Sequence, residues 1–251
     1  MASEDLIILE KTDSTNNYAM GLVQKGAAVD GQRVFAHQQT AGKGRRGKSW
    51  ESATGANILL TITAQMQWLP VKEQFQLSAG VAVGCLDFFS RYINENLRIK
   101  WPNDIYINDR KAGGILIENV IKGSLWQWSV IGIGLNINQE AFAAGLNAVS
   151  LRQVTGEKYE ILPLADELYQ SIQQRIAQLK GGDFRQILWA YNEHLFFKNR
   201  QVRLKKGPDI IATTVKGVSA AGSLLTEDLV ERQFEFNEVE WLIHPSGISG
   251  K

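Results

Sequence analysis

Apolar residues recur at helical spacing in four parts of the chain. They predict a short helix over residues 15–26, which Gly26 ends, and a long buried helix over residues 71–93. Two further helices are predicted over residues 164–179 and 184–195. The segments between these helices read differently and favour strands.

Short polar side chains stand at the start of the first predicted helix. Asp13, Ser14 and Thr15 are residue types that accept hydrogen bonds from the free backbone N–H groups of a helix N-terminus. The same helix end has a favourable dipole for an anion or a polar ligand atom. These residues alone favour a cap, and ligand binding is the alternative.

Runs of apolar, β-branched and aromatic residues predict strands in much of the chain up to Lys198. They span residues 33–38, 58–63, 97–101, 105–107, 114–120 and 125–137. Turn residues at 102–104 and 108–110 separate three of these runs. In the last run, Gly132 and Gly134 leave room for another group to approach the backbone closely.

After Lys198 the pattern changes to short strands with turns at Gly207-Pro208, Ala221-Gly222 and Asn237. The strands are predicted over residues 202–206, 210–218, 223–226 and 232–236. Such a series predicts a small barrel of about fifty residues.

Composition places the chain among globular proteins without a strong overall charge. The 251 residues are 44% hydrophobic and 21% charged, enough to bury the core of one large domain, or of a large and a small one. Lysine and arginine total 27 against 26 aspartate and glutamate, so no overall field would draw the protein to nucleic acid or a membrane.

The single cysteine, Cys85, excludes an internal disulfide, and we expect it to lie in the core. Together with the scattered His37, His194 and His244 it gives no Cys/His metal cluster. No signal peptide is recognisable, and no stretch approaches the roughly 18 apolar residues of a membrane helix, so a cytoplasmic location is expected.

The segment AGKGRRGKSW, residues 41–50, matches the spacing of a nucleotide-binding P-loop through Gly42, Gly47, Lys48 and Ser49. A P-loop needs a helix that opens at its Lys-Ser end. Here the following residues, WESATGANILLTIT, contain helix-breaking Gly55 and lead into a strand. We therefore expect the match to be accidental.

Three segments place polar side chains beside glycines at the ends of apolar strands, as in many sites for small anionic ligands. They are residues 38–50, 100–116 and 131–138. The first carries four cations within six positions, a density that suits polyphosphate or two anions: Lys43, Arg45, Arg46 and Lys48. The alternatives are a solvated basic loop and a nucleic-acid contact in which Trp50 stacks on a base.

The second segment favours an anionic ligand. Asn103 and Asp104 are candidate ligands of a metal or phosphate group, and Lys111 beside Gly113-Gly114 is a candidate electrophile for the same ligand. The alternative is that Asp104 only ends a turn and that Lys111 is only solvated.

Together the motifs closely resemble those of the biotin protein ligases, in their short form without a DNA-binding domain. The resemblance rests on DSTNNYA at 13–19, QQTAGKGRRGKSW at 38–50, KWPNDIYINDRKAGGIL at 100–116 and GIGLN at 132–136, and covers nearly the whole chain. It implies an α+β fold: a mixed sheet flanked by helices, like class II aminoacyl-tRNA synthetases, over residues 1–198, and an SH3-like barrel over residues 199–251.

The resemblance implies a role for each matching residue. Residues that would bind biotin are Ser14, Thr15, Gln39, Gly42, Lys43, Arg45, Lys111, Gly114 and Gly132. Residues that would bind ATP or the adenylate are Arg45, Arg46, Trp50, Asn103, Asp104, Lys111 and Asn136. Arg45 and Lys111 would be catalytic, and Asp104 would be a ligand of Mg²⁺.

In the implied roles, Ser14, Thr15 and Gln39 bind the ureido end of biotin, and Lys111 bridges its carboxylate and the α-phosphate. Arg45 closes over the adenylate. Lys43 departs from the usual G-R-G-R-R-G loop: it keeps the charge but loses the planar fork, so a bidentate contact is not expected there.

The resemblance implies ATP-dependent formation of biotinoyl-5′-AMP, followed by transfer of biotin to a lysine of a biotin carboxyl carrier domain. ATP, biotin and Mg²⁺ are the expected small molecules, and a homodimer through edge strands is a further expectation. We expect no DNA partner, because DNA binding in this family needs a winged helix-turn-helix ahead of the catalytic domain and the STN motif already begins at Ser14. We also expect no membrane partner. The alternatives are a lipoate ligase of the same fold, whose Ser-Gly-Gly-Gly run and histidine are missing, and a nucleic-acid-binding regulator.

Overall fold

A mixed seven-stranded sheet is the centre of the fold in a computed structural model that describes residues 5–94 and 96–242. Its strands are β1 Leu6–Thr12, β2 Arg33–Gln39, β3 Ile58–Gln65, β4 Leu97–Lys100, β5 Asp104–Ile107, β6 Arg110–Lys122 and β7 Leu125–Leu135. They lie in the order β1-β2-β3-β7-β6-β5-β4. β1 pairs with β2 in parallel and the other neighbours are antiparallel, so the predicted mixed sheet is confirmed.

Five helices accompany this sheet: α1 Thr15–Gln24, α2 Gln74–Phe89, α3 Leu151–Thr155, α4 Ile161–Lys180 and α5 Phe184–Glu193. All four predicted helices are present, with ends that differ by up to four residues from the predicted ones. Fraying and short 3₁₀ turns make such ends the least certain part of a sequence-based assignment. None of the described helices is long and apolar enough to span a membrane.

The core lies between the sheet and α2, which is buried on almost all sides. α4 packs closely on α2 because α2 presents glycines there: a methyl group on Gly84 would lie 3.0 Å from Ile172 Cα, and one on Gly80 2.9 Å from Leu179 Cδ1. Cys85 is fully buried, as predicted, and burial raises the pKa of its thiol. A neutral thiol of this kind is a packing residue.

The C-terminal residues form a second, antiparallel sheet. Its strands are β8 Gln201–Lys206, β9 Asp209–Val218, β10 Leu224–Glu227, β11 Glu231–Phe234 and β12 Glu240–Trp241, in the order β11-β10-β9-β8-β12. The predicted change to short strands is confirmed. The closure of these strands into a barrel and the domain boundary after residue 198 stay predictions.

Aromatic side chains fix the C-terminal sheet to the core. Trp101 Nε1 donates to Gly222 O at 2.8 Å, and Trp241 Nε1 donates to Trp101 O at 3.2 Å. The Phe236 ring lies 5.5 Å from Trp101 and 6.1 Å from Phe75, centre to centre. The two sheets therefore share one apolar contact surface.

Three elements were not predicted: β1, α3 and β12. β1 lies at one edge of the large sheet, where three of its seven residues are exposed, and α3 and β12 are too short to show a periodic pattern. β1 and β4 are the outer strands of the described pairing, so an edge-to-edge homodimer stays a prediction. His244 falls outside the described residues.

Candidate functional site

A cleft of about 700 Å³ opens over the middle of the large sheet. Its floor is formed by β6 and β7, one wall by the start of α1, and the other by residues 237–241 of the C-terminal sheet. Residues 40–50, which we call the glycine-arginine loop, cross its mouth. The cleft therefore lies where several chain segments converge.

One end of the cleft is a polar network. Gln39 Oε1 accepts hydrogen bonds from Thr15 N at 2.7 Å and from Thr15 Oγ1 at 3.0 Å. Thr61 Oγ1 lies 2.8 Å from both Thr15 Oγ1 and Asn16 Oδ1. Asn16 Nδ2 donates in turn to Glu118 Oε2 at 2.8 Å. This end of the cleft thus holds fixed donors and acceptors for a polar ligand group.

The network corrects the predicted helix cap. Ser14 stands at the N-cap position of α1, yet its side chain makes no capping hydrogen bond. The Gln39 side chain from β2 takes the free N–H of Thr15 instead. The prediction that Asp13, Ser14 and Thr15 serve as a side-chain cap is therefore wrong, because a residue from the neighbouring strand accepts from the first N–H of the helix.

Glycines on the floor make room for two large side chains. A methyl group on Gly132 would lie 2.1 Å from Asn16 Oδ1, and one on Gly134 would lie 2.6 Å from Trp50 Cε2. The predicted close approach to these glycines is made by side chains of the protein itself. Trp50 Nε1 is buried without a hydrogen-bond partner, so an unused donor lies at the cleft.

An ion pair lies beside Trp50. Lys111 Nζ is 2.7 Å from Asp104 Oδ1 and 5.6 Å from the centre of the Trp50 ring. A methyl group on Gly114 would lie 3.5 Å from Lys111 Nζ, so the glycine keeps this region open. Asp104 lies in β5 and Lys111 in β6, two strands that pair with each other, so both charges stand on one side of the cleft.

A second lysine adds positive charge here. Lys100 lies at the end of β4, its Nζ 3.4 Å from the Tyr106 hydroxyl. Burial lowers the pKa of Lys100; the Asp104 carboxylate opposes this shift, and Lys111 and Lys48 add to it. The cations therefore crowd one another, and an anionic ligand would relieve the repulsion.

Arg45 of the glycine-arginine loop contacts the turn between β4 and β5. Arg45 Nη1 donates to Asn103 Oδ1 at 3.4 Å, and Asn103 Nδ2 donates to Ile115 O at 2.6 Å. Burial lowers the pKa of Arg45, and the charge of Arg46 lowers it further. The guanidinium remains a cation, because arginine is by far the strongest base among the side chains.

The structure brings nearly all predicted site residues to this one cleft. Those that line it are Ser14, Thr15, Gln39, Lys43, Arg45, Arg46, Trp50, Asn103, Asp104, Lys111, Gly114, Gly132 and Asn136. Gly42 is not among the lining residues: a methyl group there would lie 2.4 Å from Trp50 O, so it shapes the loop. The Asn136 amide donates to the carbonyls of Lys111 and Val149, which holds the end of β7.

Several lining residues were not predicted as site residues. They include Asn16, Lys100, Tyr106, residues 142–148, Asn237, Glu240 and Trp241. Asn16 and Lys100 belong to motif segments and could have been included on that ground. Asn237 and Trp241 come from the other sheet, and no local signal connects them to the cleft.

The P-loop match is accidental, as expected. A 3₁₀ turn, Arg45–Gly47, lies inside the match, and the chain after Ser49 leads to β3 without a helix. The described residues also contain no group of three or more His, Cys, Asp or Glu side chains that could hold a metal ion.

The comparisons with known proteins agree with this arrangement. The sequence model of the biotin/lipoate A/B protein ligase family matches residues 8–136. A biotin--[acetyl-CoA-carboxylase] ligase of Paracoccus denitrificans is 30% identical over 243 residues, 90% of this chain and 95% of that protein. The bifunctional ligase/repressor BirA of Escherichia coli is 29% identical over 223 residues, 88% of this chain and 68% of that protein.

A solved structure is similar over almost the whole chain. The biotin protein ligase from Aquifex aeolicus, in complex with biotin and ATP, has a TM-score of 0.81 at 21% identity, over 95% of this chain and 98% of that one. This similarity supports the fold, and the match of the family model supports the relationship. The chain belongs to the biotin/lipoate A/B protein ligase family.

Proposed function

We propose that the protein is an ATP-dependent biotin protein ligase that works in two steps. The biotin carboxylate attacks the α-phosphorus of ATP, and pyrophosphate leaves with the electron pair of the broken P–O bond. The ε-amine of an acceptor lysine then attacks the carbonyl carbon of biotinoyl-5′-AMP, AMP leaves, and the amine loses a proton. The observation that carries this proposal is one cleft with a neutral polar end and a cationic end.

The polar end suits the ureido group of biotin. Ser14, Thr15 and Gln39 lie there, and the Thr15 and Gln39 side chains are held by the hydrogen bonds of the network. A ureido group carries one carbonyl acceptor and two N–H donors, which matches hydroxyl and amide partners. Lys43 and Gly132 lie along the same part of the cleft.

The cationic end suits the reacting groups. Two anions, a carboxylate and a triphosphate, have to meet, and fixed positive charge lowers the cost of this encounter. Lys111 and Arg45 supply that charge, and Arg46 lies beside them. Asn103 supports Arg45 by accepting its hydrogen bond, and Trp50 borders the space for the adenylate.

Magnesium fits this site together with the nucleotide. Mg²⁺ in nucleotide sites commonly binds one or two carboxylates and the substrate phosphates, and keeps several waters. Asp104 is a suitable carboxylate, because its partner Lys111 would turn to the phosphates when they bind. The ion would neutralise charge on the leaving pyrophosphate.

The glycine-arginine loop protects the intermediate. A mixed anhydride hydrolyses readily in water, so a cover over the cleft preserves it until the acceptor arrives. A biotin carboxyl carrier domain is the proposed acceptor, in keeping with the carboxylase in the name of the Paracoccus relative. No nucleophile of the protein is required.

A transfer assay tests this function. Purified protein, biotin, ATP, Mg²⁺ and an isolated biotin carboxyl carrier domain are incubated, and the carrier mass is measured. We expect one biotinoyl group per carrier, and none when ATP is omitted or the acceptor lysine is replaced by arginine. Modification with lipoate and not with biotin would assign the protein to the lipoate branch of the family instead.

A further inference from the structure

The tip of the glycine-arginine loop is bonded to the C-terminal sheet at one residue. Asn237 Oδ1 accepts hydrogen bonds from Arg46 Nε at 2.9 Å and from Arg45 Nη2 at 3.3 Å. Arg46 has a φ of 56°, a left-handed conformation that is uncommon outside glycine. That conformation lets two consecutive arginines point to the same oxygen.

The loop tip is a small hairpin that is closed by its own hydrogen bonds. Gly44 N donates to Lys48 O at 2.7 Å, and Trp50 N donates to Gly42 O at 2.8 Å, so its internal bonds close on themselves. On the side of the large sheet, the tip has two long contacts: Arg45 Nη1 donates to Asn103 Oδ1 at 3.4 Å, and Lys43 Nζ stands 4.0 Å from Glu118 Oε1 in a partly exposed ion pair. Both contacts are long, and a partly exposed ion pair contributes little, so the shorter bond from Arg46 to Asn237 matters for the position of the tip.

Asn237 is in contrast part of a fixed wall. Its turn is closed by Glu238 N, which donates to Glu235 O at 3.1 Å, and the adjacent Phe236 ring packs on Trp101. Arg45 lies over the same ring, with its guanidinium carbon 5.5 Å from the ring centre. The cationic tip thus meets an acceptor that is held by the packing of the C-terminal sheet.

We propose that Asn237 is a positioning residue that latches the glycine-arginine loop over the cleft and holds Arg45 at the reacting groups. The inference rests on the proposed function and extends it, because it gives the C-terminal sheet a part in retaining the adenylate. Asn237 does not act on the substrate: it acts through Arg45 and Arg46.

The first test needs no activity. The loop holds four trypsin sites, Lys43, Arg45, Arg46 and Lys48, so the rate of tryptic cleavage there reports how often the tip leaves Asn237. Asn237 has a φ of 70°, so Asn237→Gly keeps the turn and deletes the acceptor, while Asn237→Asp keeps an acceptor. Asn199→Gly, at a φ of 59° and away from the cleft, is the matched control.

We expect Asn237→Gly to be cut about fivefold faster than the wild type in this loop, a factor in keeping with the loss of about one hydrogen bond. Asn237→Asp and Asn199→Gly should be cut no faster than the wild type. Equal rates for Asn237→Gly and the wild type would overturn the latch. So would equal acceleration in Asn237→Gly and Asn199→Gly, since that would reflect general loosening.

The second test follows the adenylate. Enzyme loaded with biotin and ATP is passed through a desalting column, and the biotinoyl-5′-AMP that stays bound is measured over time. Asn237→Gly should release it about fivefold faster, and Asn237→Asp should restore retention. If the wild type forms no adenylate, the proposed function fails while the trypsin test still decides the latch; normal retention by Asn237→Gly refutes the latch alone.

Discussion

In the proposed function Lys111 has two alternative partners, Asp104 and the oxygens of the substrates. In the structure its ammonium is held by Asp104 at 2.7 Å, on a side chain that is one-third exposed. An ion pair at a partly open cleft has a small net free energy, so phosphate and carboxylate oxygens of substrates could replace Asp104 at little cost. In the proposed function the pair therefore keeps Lys111 in place until the substrates arrive.

Replacing Lys111 by methionine tests this role. Methionine keeps the length of the side chain and removes the charge, so adenylate formation should fall by roughly 10²–10³-fold, as for other lost electrostatic contacts to a transition state. The measurement is the single-turnover rate of biotinoyl-5′-AMP formation. Lys122→Met, at the exposed far end of β6, is the control and should keep the wild-type rate. Equal rates for both variants would remove Lys111 from the mechanism.

Gly132→Ala tests the polar end of the cleft. The new methyl group would lie 2.1 Å from Asn16 Oδ1, and Asn16 cannot yield easily because Leu116 O and Glu118 accept from its amide. The KM for biotin should rise by about tenfold or more, since the network moves as a unit. Gly21→Ala, where nothing lies within 4 Å of the new methyl group, is the control. An unchanged KM in Gly132→Ala would separate the network from biotin.

At the scale of single residues, the sequence predicts contacts between residues that are close in the chain but not contacts between residues that are far apart in it. Lys111 and Asp104 stand on one hairpin, so their motif places them together. Arg45 and Asn237 are separated by 192 positions, and Asn237 looks like an ordinary turn residue. Its role depends on how the two sheets pack, which no local pattern contains.

The helix pair α2–α4 shows how glycines set the spacing of elements. Both glycines of α2 face α4, and helices with small residues at their contact can approach closely. In the sequence Gly80 and Gly84 loosen the predicted helix, since glycine is a poor helix former. Their cost is offset by the packing that they permit.

Gly84→Val should therefore destabilise the fold by about 1–3 kcal/mol, because the new atoms meet the backbone of Ile172, which cannot rotate away. The measurement is urea unfolding followed by circular dichroism. Gly21→Ala, within α1, should instead leave stability unchanged or raise it by about 0.5–1 kcal/mol. A Gly84→Val variant as stable as the wild type would mean that α2 and α4 have room to separate.

The elements themselves are predictable where they are long or strongly patterned. α2, α4 and the β6–β7 hairpin have clear apolar runs, whereas β1 is a half-exposed edge and α3 spans five residues. Strand order is not predictable in the same way. β3 pairs with β7 along its whole length although α2 and three strands lie between them in the chain.

On the scale of the whole molecule, the two sheets are joined through Trp101, Phe75 and Phe236. Gly222 shows how close the contact is, since a methyl group there would lie 2.6 Å from Phe75 Cγ. Large apolar interfaces of this kind couple the stability of the parts that they join.

We expect one cooperative unfolding transition for the whole chain. Calorimetry should give a single peak whose calorimetric and van't Hoff enthalpies agree. Gly222→Val should shift that peak to lower temperature without splitting it. Two separate peaks in the wild type would show that the C-terminal sheet folds independently, and that it is a looser wall for the cleft than the contacts indicate.

The central claim is that one cleft activates biotin with ATP. The most direct measurement is biotin-dependent exchange of labelled pyrophosphate into ATP, without any acceptor protein, for the wild type and for Lys111→Met. The account predicts exchange in the wild type with biotin and Mg²⁺, and a rate lower by roughly 10²-fold or more in the variant. Absence of exchange in the wild type, or equal exchange in Lys111→Met, would contradict it.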